Sequence, residues 1–352
     1  MRIALLLAAL LTTSTPADEA TQLRLGGQAA VDALYTSTPS DLLDRVCAQK
    51  DCHTSRLFWY TDLAQAREAA RTSGRRVISL HMLGRLDEEL SCANSRFFRV
   101  MLYSDPEIAA LMRERYVLHW HSVRPVPRVT IDMGDGRTIQ QTITGNSVHY
   151  LLDADGTLLD ALPGLHSPAA FRAQLEEWLA LDRARLREYH AARAQKALKR
   201  GLSYGFEQVR ESSVRRPTAQ EATMRARSKA RVERPLLSQL TIGLRPPAPE
   251  RWTALAEEQG ESVQFSKPSI ELMQRKQPLT PETLDNLRRS VAVETIFNDV
   301  SLHRRVHEWF AAGEEYDLVS LNERIYAELF LSPTDDPWLG LDPQSAFAAL
   351  PR

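Results

Sequence analysis

The feature that most constrains this chain is a nearly continuous apolar run, Val77-Ile-Ser-Leu-His-Met-Leu83, followed nine residues later by Cys92 at the start of a helical pattern. A run of that length bounded by polar sequence fits a central strand buried on both faces. The residues after Cys92 read ANSRFFRVMLYSDPEIAALM, two helical stretches in succession. A strand feeding a cysteine at a helix start is a common setting for thiol chemistry. Unpaired N–H groups and the helix dipole there favour the thiolate.

The surrounding pattern alternates between the two kinds of element. Residues 58–74 form a helical segment that Thr61 or Asp62 can cap and Gly74 can stop. Ser104-Asp-Pro-Glu107 has the spacing of a capping box, and Tyr116–Val123 alternates as a strand does. Between Arg128 and Thr144, two alternating segments flank Gly134-Asp-Gly136 and read as a hairpin. Ser167-Pro168 opens a helix expected to run as far as Lys199, before Gly201. Alternation of this kind predicts an α/β core.

Order and spacing together resemble bacterial secreted thioredoxin-like domains, in which an apolar strand precedes Cys-x-x-Cys and a Ser-Asp-Pro-Glu helix start. Here the motif reads Cys92-Ala93-Asn94-Ser95, and Ser104-Asp105-Pro106-Glu107 follows. Where the family carries Gly-Thr-Pro before a strand and an Asp-x-Asp-Gly turn, this chain has Gly145-Asn146-Ser147 and Asp153-Ala154-Asp155-Gly156. Three departures stand out. Ser95 replaces the resolving cysteine, Ser147 takes the place of the cis-proline, and the hairpin replaces the crossover helix. A cis bond before serine costs roughly 3–4 kcal/mol, so a trans bond is expected there. The resemblance covers roughly residues 55–180.

What it implies is thiol–disulfide exchange on protein thiols or disulfides, through Cys92 as nucleophile and Ser95 as a donor to its thiolate. A monothiol site of this type can form a mixed disulfide or isomerise one, but it cannot run a dithiol cycle alone. Arg96 favours ionisation of Cys92, and Asp87, Glu88 and Glu89 oppose it. The competing reading is a catalytically silent scaffold, or a partner-binding module, in which Cys92 is a small buried apolar side chain.

Residues 1–17 combine Arg2, an apolar run from Ile3 to Leu11 and a small-residue exit near Ala17, the pattern of a secretory signal. A periplasmic or secreted protein is therefore expected, with no transmembrane segment after cleavage. In such a compartment Cys47 and Cys52 can close a short disulfide and leave Cys92 free. Two alternatives stay open at this level: one of the pair bonds to Cys92, or both join His53 around a metal ion. The latter lacks a second ligand pair.

The expected organisation is an extension over 18–56, poor in pattern, a thioredoxin-like domain over 57–181 and a mainly helical C-terminal region over 182–352. At 352 residues and 43% hydrophobic content, the chain is long enough for two such units. Residues 283–310 are predicted to form an amphipathic helix burying Leu287, Val291, Ile296, Val300 and Trp309. His303 and His307 lie four apart on it, a spacing that permits joint contact with a metal or haem. Glu308 is misplaced for His-Glu-x-x-His, however, and a core-edge pair is the plainer reading. His119 and His121 read as structural, and no resident metal or cofactor is expected.

Net charge is −1, which gives no steer toward nucleic acid, and no such partner is expected. Between Asp182 and Arg234 there are 15 Lys or Arg against 6 Asp or Glu. That local excess can pair with the acidic remainder of the chain, or attract an anionic polymer or lipid headgroup. The helical region is a candidate surface for a protein partner.

Overall fold

The computed structural model describes residues 16–143, 145–208 and 244–339. The apolar run of the expected signal and residues 209–234 of the basic 182–234 segment lie outside the described residues. Among those described, no helix is long and apolar enough to cross a membrane.

The core is a four-stranded mixed sheet in the order β2-β1-β5-β6. Strand β1 (Arg76–Leu83) is central, and every residue from Val77 onward is buried. It runs parallel to β2 (Tyr116–Arg124) and antiparallel to β5 (Ser147–Leu152), which pairs antiparallel with β6 (Leu158–Pro163). Burial on both faces accounts for the near-continuous apolar character of β1, β5 and β6. Between β2 and β5 lies the expected hairpin, β3 (Arg128–Asp132) with β4 (Thr138–Thr142), in register from Arg128–Thr142 to Asp132–Thr138. Gly134 and Gly136 hold positive φ at its tip, where a side chain would be strained.

Residues 16–56 differ from the sequence expectation. They form four short helices, α1 (Pro16–Arg24), α2 (Gly27–Leu34), α3 (Ser40–Cys47) and α4 (Cys52–Ser55). Each is too short to show a clear period, but together they bury Val31, Leu43, Val46 and Phe58 around a Cys47–Cys52 disulfide. Its Cα atoms are 6.3 Å apart. Arg24 fastens the layer by donating to the carbonyl oxygens of Val46 and Trp59, each at 2.8 Å.

Helix α5 (Leu63–Ser73) starts at Asp62, whose carboxylate accepts from the Gln65 N–H, and precedes β1. After β1 the chain enters α6 (Ala93–Phe97), continuous with a π-helical turn over Phe98–Leu102, and then α7 (Pro106–Arg115). The cap of α7 is Asp105 and not Ser104, because Pro106 takes the first helical position. Ser104 is instead buried and shares a 2.9 Å hydrogen bond with Ser269. The helix opened by Ser167 also departs from expectation. It ends as α8 (Pro168–Ala180), and Asp182 caps a fresh start that leads through Arg183–Arg185 into α9 (Leu186–Ser203).

A two-residue ladder joins β7 (Glu207–Gln208) to β8 (Leu244–Arg245). Helices α10 (Pro249–Gly260), α11 (Lys267–Lys276) and α12 (Pro281–Phe297) follow. From α12 the backbone continues through a π-helical stretch, Asn298–His303, into α13 (Arg304–Ala311), so the long helix expected over 283–310 carries an internal change of pitch. Leu287, Val291, Ile296, Val300 and Trp309 are all buried, as its period requires. Helix α14 (Leu318–Arg324) runs into a third π-helical turn, Ile325–Leu329. One apolar cluster includes side chains of the sheet and of these last helices.

Candidate functional site

Two polar centres are buried in this framework. The first surrounds Cys92, which sits at the N-cap of α6 with extended backbone (φ −62°, ψ 158°). Its own N–H donates to the carbonyl of Leu83 at the end of β1, 3.3 Å away, which ties the cap to the central strand. Opposite stands the loop before β5. A Cβ on Gly145 would lie 2.9 Å from the side-chain oxygen of Asn94, so the glycine permits that close approach.

The structure brings Cys92, Ser95 and Ser147 together. The Cys92 sulfur lies 3.2 Å from the Ser147 hydroxyl and 3.4 Å from that of Ser95. A third, longer contact of 3.9 Å reaches the Asn146 carbonyl oxygen. Ser95 accepts from the thiol, and its own O–H donates to the Cys92 carbonyl oxygen at 2.9 Å. That direction is the reverse of the expected donation to a thiolate. The peptide bond before Ser147 is trans, since no cis bond occurs among the described residues.

Cys92 has no exposed surface. Part of its cover comes from the C-terminal segment: Tyr326 donates to the Asn146 carbonyl oxygen at 3.1 Å, and Asn146 donates to Ser332 at 2.7 Å. Burial, and secondly the proximity of Cys92, raise the Tyr103 and Tyr326 hydroxyls well above the ordinary phenol range, so both stay neutral. Behind the helix, the buried Arg99 guanidinium pairs with Asp51 at 3.1 Å and donates to the Glu89 carbonyl oxygen at 3.2 Å. The acidic run upstream of Cys92 is thus engaged elsewhere, Asp87 with Arg85 at 2.6 Å and Glu89 with Lys276 at 2.9 Å.

The second centre lies where β6, α9 and the α12–α13 helix meet. Asp160 on β6, His190 on α9, and His303 and His307 are all buried. Through Oδ2, Asp160 accepts from Trp178 Nε1 at 2.8 Å and from the Tyr189 hydroxyl at 3.3 Å. Its Oδ1 accepts from the Ala161 N–H at 2.8 Å and faces His303 Nε2 at 3.4 Å and His307 Nδ1 at 3.9 Å. The Nδ1 atoms of His190 and His307 are 2.7 Å apart. Burial works against ionisation of Asp160, yet the imidazoles of His307, His303 and His190 draw its carboxyl well below the ordinary range. Burial itself pushes His307 well below its ordinary value and lowers His190 as well.

Sequence reasoning reached half of this second centre. His303 and His307 were visible through their i, i+4 spacing, but His190 is 117 residues from His307 and carries no local signal. Asp160 sat in an apolar strand, and a lone carboxylate in such a run was the available clue.

The other candidate residues separate. The disulfide removes Cys47 and Cys52 as metal ligands and as partners for Cys92, and His53 lies 3.5 Å from Arg275. His119 accepts or donates a 2.7 Å bond with Ser79, and His81 shares one of 3.2 Å with Asn322, so this group fastens β1, β2 and α14.

Fold and site define a mixed α/β protein with a helix-covered four-stranded sheet. Compared with known proteins, the chain matches no family model, no curated protein and no solved structure.

Proposed function

We propose that this chain is an extracytoplasmic binding protein on a thioredoxin-like scaffold, in which Cys92 is sequestered and does not exchange disulfides. Support for the scaffold comes from the sheet order, with β1 parallel to β2 and antiparallel to β5, and from a cysteine at the helix start after the central strand. The Cys47–Cys52 disulfide suits an oxidising compartment. The observation that carries the reading is the complete burial of Cys92 beneath the loop 145–147 and Tyr326. A thiolate must reach a disulfide sulfur in line to attack it, and no path to this sulfur is open.

A binding role is supported by the hairpin that stands in place of the crossover helix. Val129 and Ile131 alternate along β3 and Ile139 stands opposite Ile131, so these three share one face, and Met133 follows directly after the strand. Their exposures are 41, 46, 46 and 53%. Contiguous exposed apolar side chains on one face are the mark of a protein interaction surface. A protein partner presenting an apolar groove fits it.

Alkylation of the folded chain at neutral pH tests the proposal. Cys92 is expected to stay unmodified until the protein is unfolded. Modification of the native protein at the rate of an exposed thiol would instead favour the monothiol exchange reading, to which the two hydroxyls near the sulfur would then contribute.

A further inference from the structure

The polar centre on β6 has no role in that reading, and its atoms are arranged in a way that hydrogen bonding alone leaves incomplete. One ligand-capable atom from each of Asp160, His190 and His307 lies within 4.8 Å of the others. His190 Nε2 lies 3.0 Å from the Leu159 carbonyl oxygen, which can only accept. The proton of His190 is therefore on Nε2, and its Nδ1 presents a bare lone pair to His307 Nδ1 at 2.7 Å. Two tautomers of His307 remain. With the proton on Nδ1, the buried Nε2 has a lone pair and no donor, and this nitrogen has no hydrogen-bond partner. With the proton on Nε2, two lone pairs face one another beside the carboxylate.

We propose that Asp160, His190 and His307 bind one divalent transition-metal ion, zinc above others, with His303, whose Nε2 lies 3.4 Å from Asp160 Oδ1, beside them. A cation between the Nδ1 atoms turns the facing lone pairs from a repulsion into two ligand bonds. With the ion bound, His307 carries its proton on Nε2, on the side of the ring away from the ion. Two imidazoles and one carboxylate are a borderline-soft donor set of the kind that holds zinc with one position open.

The surroundings resemble the outer shell of a metal site. A backbone carbonyl orients His190 through its second nitrogen, and Trp178 and Tyr189 fix the carboxylate through the oxygen turned away from the imidazoles. Zinc–nitrogen bonds of about 2.05 Å at the tetrahedral angle place ligand nitrogens about 3.3 Å apart. Filling the site thus requires the His190 and His307 rings to separate slightly. His303 and His307, four apart where the π-helical stretch passes into α13, have ring centroids 4.0 Å apart, and such turns often mark functional sites. The ion would cross-link the sheet to two helices distant in sequence.

The test uses the full chain stripped by a chelator and titrated with zinc and with cobalt(II). One equivalent is expected to bind, to raise the unfolding temperature, and to give cobalt the absorption of a tetrahedral nitrogen–oxygen site. His190→Gln and His307→Gln should each weaken binding at least tenfold, while Cys92→Ser leaves it unchanged. Because a histidine variant can also fail to fold, the wild-type titration stands alone: no stoichiometric binding and no thermal shift overturn the proposal. Binding abolished by Cys92→Ser, or retained in full by both histidine variants, overturns it as well.

Discussion

The two buried polar centres differ in what their neighbours leave unsatisfied. Around Cys92 the sulfur has hydrogen-bond contacts with neutral groups at 3.2, 3.4 and 3.9 Å, and the neighbouring Ser91 hydroxyl is buried without a partner. Around Asp160 a carboxylate and three imidazoles converge, and one nitrogen is left without a partner. The position most conspicuous in the sequence has become a packed cap. The demand for a ligand has moved to a junction assembled from three distant segments.

Acid separates imidazole chemistry from thiol chemistry with the largest expected effect. Burial lowers His149 to about 3 and His119 to about 4. Each is neutral in the folded protein, while in the unfolded chain it titrates near 6.5. The unfolded state therefore binds more protons through the window from about 6.5 down to these values. Stability is full above that window and falls as pH drops through it, by roughly 1 kcal/mol per pH unit for each histidine. In denaturant unfolding between pH 7 and pH 4, these two histidines alone should account for a combined loss of roughly 5 kcal/mol. His149→Gln should flatten the slope and Cys92→Ala should leave it unchanged; equal slopes in wild type and His149→Gln would break the assignment.

Removing the carboxylate comes next. In Asp160→Ala the buried Trp178 Nε1 and Tyr189 hydroxyl lose the acceptors they hold at 2.8 and 3.3 Å. Unpaired buried donors and the vacated space together cost about 4 kcal/mol. Circular dichroism melts of this variant beside Cys92→Ala would show which centre the fold depends on. A smaller effect at Asp160 than at Cys92 would reverse the comparison.

A third measurement concerns the layer behind Cys92. Replacing Cys47 and Cys52 by serine opens a loop of sequence separation 5, for which chain entropy gives a loss of about 2 kcal/mol. Asp51, next to that loop, pairs with the buried Arg99 and with Lys276 at 3.0 Å. The reduced variant should thus also loosen α6, visible as faster amide exchange over residues 93–102. Unchanged exchange there would show that the Cys92 cap is independent of the N-terminal layer.

What the sequence made legible was whatever depends on neighbours along the chain. The burial of β1, the hairpin around Gly134 and Gly136, the cap at Asp62 and the short disulfide all follow from local pattern. The helices of residues 16–56 were missed because each is eight or nine residues or fewer and buries only a few side chains per helix. Cys92 was placed at its helix start, yet its burial depends on Tyr326 and Ser332, which the chain supplies more than 200 residues later. Likewise, the spacing of His303 and His307 was readable, but their convergence on Asp160 required the sheet and α9 to be in place.

The smallest effect belongs to the residue that the sequence singled out. Cys92→Ala removes one buried sulfur from a site whose other groups bond among themselves: Ser95 still donates to the carbonyl of residue 92, and Tyr326 still donates to Asn146. The expected loss is about 1 kcal/mol, the size of a small buried apolar group and its cavity. A chemical melt of wild type and Cys92→Ala, each with the disulfide intact, measures it directly. If the variant loses several times that amount, the thiol has a structural bond stronger than these contacts allow. If it gains stability, the sulfur is held against the preference of the fold, as functional groups often are, and thiol exchange becomes the better account of Cys92.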